Sequence, residues 1–224
     1  APVIAVARDR AFCFYYADGL ELLEAMGARL AEFSPLADKA LPRGTCGLYL
    51  GGGYPEEFAR ELAANHSLLG EIRQKILRGL PTVAECGGFL YLHRCLSGAD
   101  GQYDWRMAGV FSGQAANTGK LSRFGYVTLT AKKDGLLCPA GESFPAHEFH
   151  YWGSTAPGED FRAQKPQSDR GWDCGWHSPT LYAGFPHFHF WAKPNEYKHQ
   201  NRHHFLNRHP LLKKSNILYL SDYG

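Results

Sequence analysis

The sequence predicts an α/β fold with a largely parallel sheet, and three observations carry that prediction. Val3-Ile4-Ala5-Val6-Ala7 is a continuous apolar, β-rich run, the pattern of a strand buried on both faces. Further runs of this kind alternate with apolar residues at helical spacing. Two of them stop abruptly, at Gly51-Gly52-Gly53 and at Cys86-Gly87-Gly88. Open parallel sheets place their active sites beyond the carboxyl ends of strands, so both glycine turns belong to one candidate site.

The elements follow in order. Tyr16, Leu20, Leu23 and Met26 recur at helical spacing, and Gly27 supplies a C-cap. Leu30 to Phe33 is a second short strand, and Gly47-Leu48-Tyr49-Leu50 a third. Pro55 with Glu56 and Glu57 opens a helix, because proline fits the first turn and acids favour its positive end. Leu68, Leu69, Ile72, Ile76 and Leu77 form a helical stripe ended by Gly79 and Pro81. The run from Leu80 to Glu85 leads into Cys86. From about Trp105 to Tyr182 the chain becomes turn-rich and β-like, with Gly125 to Thr130 the clearest strand. Residues 195–224 hold four of the eleven histidines and several basic residues with little periodicity, and read as a loosely docked or disordered tail. Their histidine spacing matches no metal-ligand pattern.

Composition narrows the function. At 224 residues the chain buries one sizeable core, and a single domain with additions is the default. A net charge of +2 gives no footprint for nucleic acid or a membrane surface. No apolar run is long enough to span a bilayer, and no signal segment opens the chain. The six cysteines are scattered without a CxxC pair, which predicts reduced thiols in the cytoplasm. The start at Ala1-Pro2, without methionine and close to a strand, fits a piece of a longer protein.

Cys86 is the centre of the chemistry. A strand that ends on a reactive side chain, followed by glycines and a helix, is the pattern of a nucleophile elbow. The alternative for a lone cysteine is a small buried hydrophobe, which remains the default for Cys13, Cys46, Cys95, Cys138 and Cys174. An acyl-transfer thiol needs a base and an oxyanion site. His187-Phe188-His189-Phe190 supplies base candidates, and strict alternation places both imidazoles on one face. The amide of Gly87 and one from the Gly52–Gly53 turn are the candidate oxyanion and substrate-binding donors. His147-Glu148-Phe149-His150 lacks the spacing of a zinc helix, so no metal site is assigned; a place on the active-site wall or at an interface is expected. The aromatic-rich stretch from Trp172 to Trp191 has no basic patch beside it and reads as core or domain interface, not as a base-stacking surface.

Four motifs occur in a defined order: Tyr49-Leu50-Gly51-Gly52-Gly53-Tyr54-Pro55-Glu56, Ala84-Glu85-Cys86-Gly87-Gly88, Ala146-His147-Glu148-Phe149-His150-Tyr151 and His187-Phe188-His189-Phe190. Together with Ala7 to Tyr16 they resemble the carboxy-terminal glutaminase domain of the cobyrinic acid a,c-diamide synthase family, class I glutamine amidotransferases of cobalamin biosynthesis. The likeness covers Val3 to Pro194, dividing the chain into an amidotransferase domain over 1–194 and a tail over 195–224. It implies a flavodoxin-like three-layer sandwich with a mostly parallel central sheet. It further implies that Cys86 attacks the side-chain amide of L-glutamine, that His187 is general base and acid, and that Gly53 and Gly87 hold the oxyanion. The ammonia released would serve an ATP-dependent amidoligase domain or subunit acting on cobyrinic or hydrogenobyrinic acid. That partner would use ATP and Mg²⁺; the resemblance assigns this chain no cofactor of its own, and the chain shows no GxxxxGK[ST] phosphate loop. The wider class carries His-x-Glu, whereas this chain has His187-Phe188-His189, which leaves His189 as a candidate orienting residue. Two other readings stand beside this one: a general cysteine hydrolase or peptidase on the same fold, and a degenerate, non-catalytic interaction domain.

Overall fold

The computed structural model describes residues 1–101 and 104–190. The 195–224 tail, its histidines and Trp191 lie outside the described residues.

A six-stranded sheet forms the middle layer, in the order Trp176–Ser178, Leu181–Gly184, Thr82–Glu85, Thr45–Leu50, Val3–Ala7, Arg29–Phe33. All its pairings are parallel except at the edge formed by Trp176–Ser178. The apolar runs belong here because each strand feeds two cores. Ile4, Val6, Tyr49, Val83 and Tyr182 pack on one face, while Ala5, Ala7, Leu48, Leu50, Ala84 and Ala183 pack on the other. Successive side chains point to opposite faces, so burial on both sides makes every position apolar.

One face is covered by helices. Leu62 of the helix Ala59–Ala64 joins Leu68, Leu69, Ile72 and Ile76 of the helix His66–Leu77 in that core. Leu77, expected in the same stripe, is instead exposed, because it lies about 100° round the helix from Ile76. The helix closes as the Gly79 signal predicts: Gly79 N–H donates to the Ile76 carbonyl and Leu80 N–H to that of Lys75. The segment opened by Pro55 is a 3-10 turn, Pro55–Phe58, before Ala59–Ala64. Asn65 separates the two helices, and its buried Nδ2 donates to the carbonyls of Pro35 and Asp38 at 2.8 and 2.7 Å.

The opposite face differs from a helical layer. A five-stranded antiparallel sheet, ordered Gly171–Cys174, Phe161–Gln164, Arg123–Ala131, Ser143–His150, His187–Phe188, packs there with Leu20 and Leu23 of the helix Ala17–Ala25. Its inner face presents Val127, Leu129, Phe144, Phe161 and Phe188. The β-like stretch after Trp105 thus makes the third layer, and its last strand carries His187 back to the parallel sheet. No helix among the described residues is long and apolar enough to cross a membrane.

Candidate active site

The chain turns at Cys86 with φ 46° and ψ −101°, between the strand Thr82–Glu85 and the helix Gly87–Tyr91. A positive φ at a residue bearing a Cβ is strained backbone, and here it lies at the proposed reactive atom. Three contacts hold the turn. Cys86 N–H donates to the Gly184 carbonyl at 2.8 Å, and Gly88 N–H donates to the Gly51 carbonyl at 2.9 Å. The third is a backbone approach: a Cβ on Gly88 would stand 2.1 Å from the Leu50 carbonyl oxygen. Only glycine permits two backbones this close, which is why Gly-Gly follows the cysteine.

His187 reaches this point by pairing with His147 at the end of the antiparallel sheet. It is 6% exposed, and its Nδ1 lies 3.6 Å from Glu85 Oε2. Burial opposes a charge on the ring, but hydrogen bonds and charge interactions with Cys86 and Glu85 outweigh it and raise the imidazole from 6.5 to about 10. The imidazole is therefore favoured in its protonated form, facing Cys86. The ring edge of Phe14 closes one side, with centroids 4.9 Å apart.

Glu85, the residue before Cys86, is buried at 1% exposure at the end of the strand Thr82–Glu85. Tyr49 donates its hydroxyl to Glu85 Oε2 at 2.9 Å, and the Phe188 N–H donates to Oε1 at 3.1 Å. Burial and the Glu85 charge push the Tyr49 phenol well above its ordinary range, so it remains a donor. Tyr49 packs edge-on against Tyr15, whose hydroxyl donates to the Ala7 carbonyl and accepts from Gly51 N–H. Paired aromatic and hydrogen-bonding residues thus tie the glycine turn, the sheet and Glu85 together.

The two candidate oxyanion amides converge. Gly53 N lies 3.0 Å from where a Gly87 Cβ would be, and Gly52–Gly53 is fixed by antiparallel pairing with Phe12–Phe14. Gly87 N–H belongs to the first helical turn and has no intrahelical acceptor. From the opposite sheet the Phe149 carbonyl approaches Cys86 Sγ at 4.0 Å. That puts the His147–His150 segment on the wall of the site, with Glu148 and His150 buried and 3.8 Å apart.

Cys86, His187, Gly52, Gly53 and Gly87 therefore come together. His189 goes elsewhere: its Nε2 is 2.9 Å from Asp18 Oδ2, and its ring sits edge-on to Tyr16. The alternation that would keep it beside His187 ends because the strand stops at Phe188. Residue pattern alone does not single out Glu85 or Tyr49; the available signal is a carboxylate at the end of a buried strand that carries no other charge. The six cysteines form no disulfide among the described residues, and Cys13 is exposed, unlike the packing role expected of it. No group of three or more potential metal ligands occurs among the described residues.

The profile of the CobB/CobQ-like glutamine amidotransferase domain matches residues 3–195. The chain belongs to this family. It is 42% identical over 193 residues to a cobyrinate a,c-diamide synthase of Caldanaerobacter subterraneus subsp. tengcongensis, covering 84% of this chain and 42% of that protein. A cobyrinate a,c-diamide synthase of Salmonella typhimurium is 38% identical over 201 residues, covering 88% and 43% respectively. The chain thus spans less than half the length of these curated relatives. Among solved structures, PurLQS from Thermotoga maritima aligns with TM-score 0.54 at 18% identity, over 83% of this chain and 87% of that one. A glutamine amidotransferase from Thermotoga maritima aligns with TM-score 0.55 at 13% identity, over 83% and 75%. These likenesses establish the class I amidotransferase fold of this domain.

Proposed function

We propose that this domain hydrolyses L-glutamine through Cys86 and supplies ammonia to an ATP-dependent amidoligase that amidates the a and c carboxylates of cobyrinic or hydrogenobyrinic acid. The observation that carries the reading is the strained turn at Cys86 held against His187 with two glycine amides beside it. The names of the relatives support the choice of acceptor.

The Cys86 thiolate attacks the side-chain carbonyl carbon of glutamine, and the oxyanion that forms accepts from the Gly53 and Gly87 amides. The His187 imidazolium gives its proton to the amide nitrogen, the C–N bond breaks, and ammonia leaves. The product is a glutamyl thioester on Cys86. Neutral His187 then takes a proton from water, the hydroxide attacks the thioester carbon, and collapse releases glutamate and restores the thiolate–imidazolium pair. ATP and Mg²⁺ would act in the partner, where carboxylate activation takes place.

Reconstitution with an amidoligase partner tests this reading. Glutamine-dependent amidation of cobyrinic acid is expected, lost in Cys86→Ala but retained when ammonia is added directly. Undiminished glutamine-dependent amidation by Cys86→Ala would sink it. Cleavage of peptides without selectivity for glutamine would favour a general cysteine hydrolase instead.

A further inference from the structure

We propose that Glu85 is the positioning residue of this site: its buried carboxylate fixes the orientation and proton position of His187, the task that the His187-Phe188-His189 pattern leaves without a carboxylate. The inference rests on the Cys86–His187 glutaminase reading and deepens it.

Four observations carry it. Glu85 Oε2 is 3.6 Å from His187 Nδ1, and both side chains are buried. His187 Nδ1 is itself a buried atom with no hydrogen-bond partner, and the Glu85 carboxylate, 3.6 Å away, is the acceptor that a small shift brings within reach of its proton. Tyr49 OH and Phe188 N–H hold the two carboxylate oxygens in place, one from the neighbouring strand and one from the residue after His187. His189, by contrast, is engaged with Asp18 at 38% side-chain exposure.

A carboxylate behind an imidazole does two things. It places the Nδ1 proton between the two groups, which leaves Nε2 to exchange protons with the thiol and the leaving nitrogen. It also stabilises the imidazolium, and so the thiolate facing it. The other titratable groups that act on His187 are Cys86 from the same elbow and His147 from the paired strand, while Tyr49 from the adjacent strand and Tyr16 on the helical side act on Glu85. Glu148, on the strand of His147, is turned to His150. Glu85 is thus the carboxylate that faces the ring.

The test is the pH dependence of Cys86 alkylation by iodoacetamide, read on the Cys86 peptide by mass spectrometry, in wild type, Glu85→Gln, Glu85→Asp and His189→Asn. Each unit by which the His187 pKa falls lowers the ratio of thiolate–imidazolium to thiol–imidazole about tenfold. Glu85→Gln is expected to lower the neutral-pH plateau about tenfold or more and to move the imidazolium limb to lower pH. Glu85→Asp, with the charge retained but one methylene withdrawn, should fall between Gln and wild type, which keeps the test valid if Glu85→Gln does not fold. Glutamine hydrolysis should lose kcat with KM little changed. An unchanged profile in both Glu85 variants, or the same displacement in His189→Asn instead, would overturn the proposal. A wild-type profile without any neutral-pH thiolate would overturn the glutaminase reading itself, so the two failures are distinct.

Discussion

Gly52 lies directly beneath the imidazole of His187. A Cβ built on Gly52 would stand 2.6 Å from Cε1 and 3.3 Å from Nε2, inside van der Waals contact for both. The glycine turn therefore bounds the position of the His187 ring, the proposed base, as well as carrying the amides proposed for the oxyanion. Gly52→Ala should leave the fold intact, because the atoms it meets, the His187 ring and the Phe14 Cβ at 3.2 Å, belong to side chains rather than backbone. Glutamine turnover should fall about a hundredfold, since a misplacement of about 1 Å in a catalytic group has that effect. Steady-state kinetics alongside a thermal melt checks it; wild-type turnover would show that His187 has room to shift without consequence.

Gly88 makes the opposite kind of contact. Its missing Cβ faces the Leu50 carbonyl oxygen and carbonyl carbon at 2.1 and 2.7 Å, so backbone rather than a ring would have to move. Gly88→Ala should destabilise the domain by more than about 3 kcal/mol, the range reached when an insertion strains a packed backbone. Denaturant unfolding measures this, and a loss below about 1 kcal/mol would mean that the elbow and its neighbouring strand separate easily.

The fold was largely legible in the sequence because its central strands are buried on both faces and therefore apolar at every position. The elbow was legible for a local reason: Cys86, Gly87 and Gly88 are consecutive, and strand, turn and helix all leave marks in the same ten residues. Glu85 was not, because its role depends on three partners from distant segments, Tyr49, His187 and Phe188, which parallel pairing and the returning antiparallel strand bring together. His189 misled for a related reason. A two-residue period predicts a shared face only while the strand continues, and the end of pairing at Phe188 cannot be read from His-Phe-His-Phe. The antiparallel third layer announced itself only as a β-like composition after Trp105.

Glu56 links stability to pH. Its carboxyl group is buried, one oxygen has no hydrogen-bond partner, and burial raises its pKa from 4.5 to about 7. Between those values the native state holds a proton that the unfolded chain has released. Its contribution to stability is therefore present below about pH 4.5 and is lost as pH rises to 7. Glu56→Gln removes that loss and should stabilise the domain by about 3 kcal/mol at pH 8 relative to pH 4.5. Thermal melts of both proteins at the two pH values check the sign; equal differences at both would show that Glu56 is ionised in the folded state.

The cysteines should separate by reactivity. Cys13 is exposed, whereas Cys174 is buried and burial pushes its thiol up to about 12. In the native protein at pH 8, a thiol reagent should modify Cys13 within the time in which Cys174 stays intact, since only thiolates react. Peptide mapping after timed quenching reads both sites. Comparable labelling of Cys174 would mean that the packing around it opens on the same timescale.

The central claim is that Cys86, paired with His187, is the nucleophile that attacks glutamine. The most direct measurement is site-resolved mass spectrometry of the chain after treatment with an electrophilic glutamine analogue, with and without excess L-glutamine. The account predicts one adduct, on Cys86, protected by L-glutamine and strongly slowed in His187→Ala. Labelling that ignores L-glutamine, or that falls on another cysteine while Cys86 remains unmodified, would contradict it.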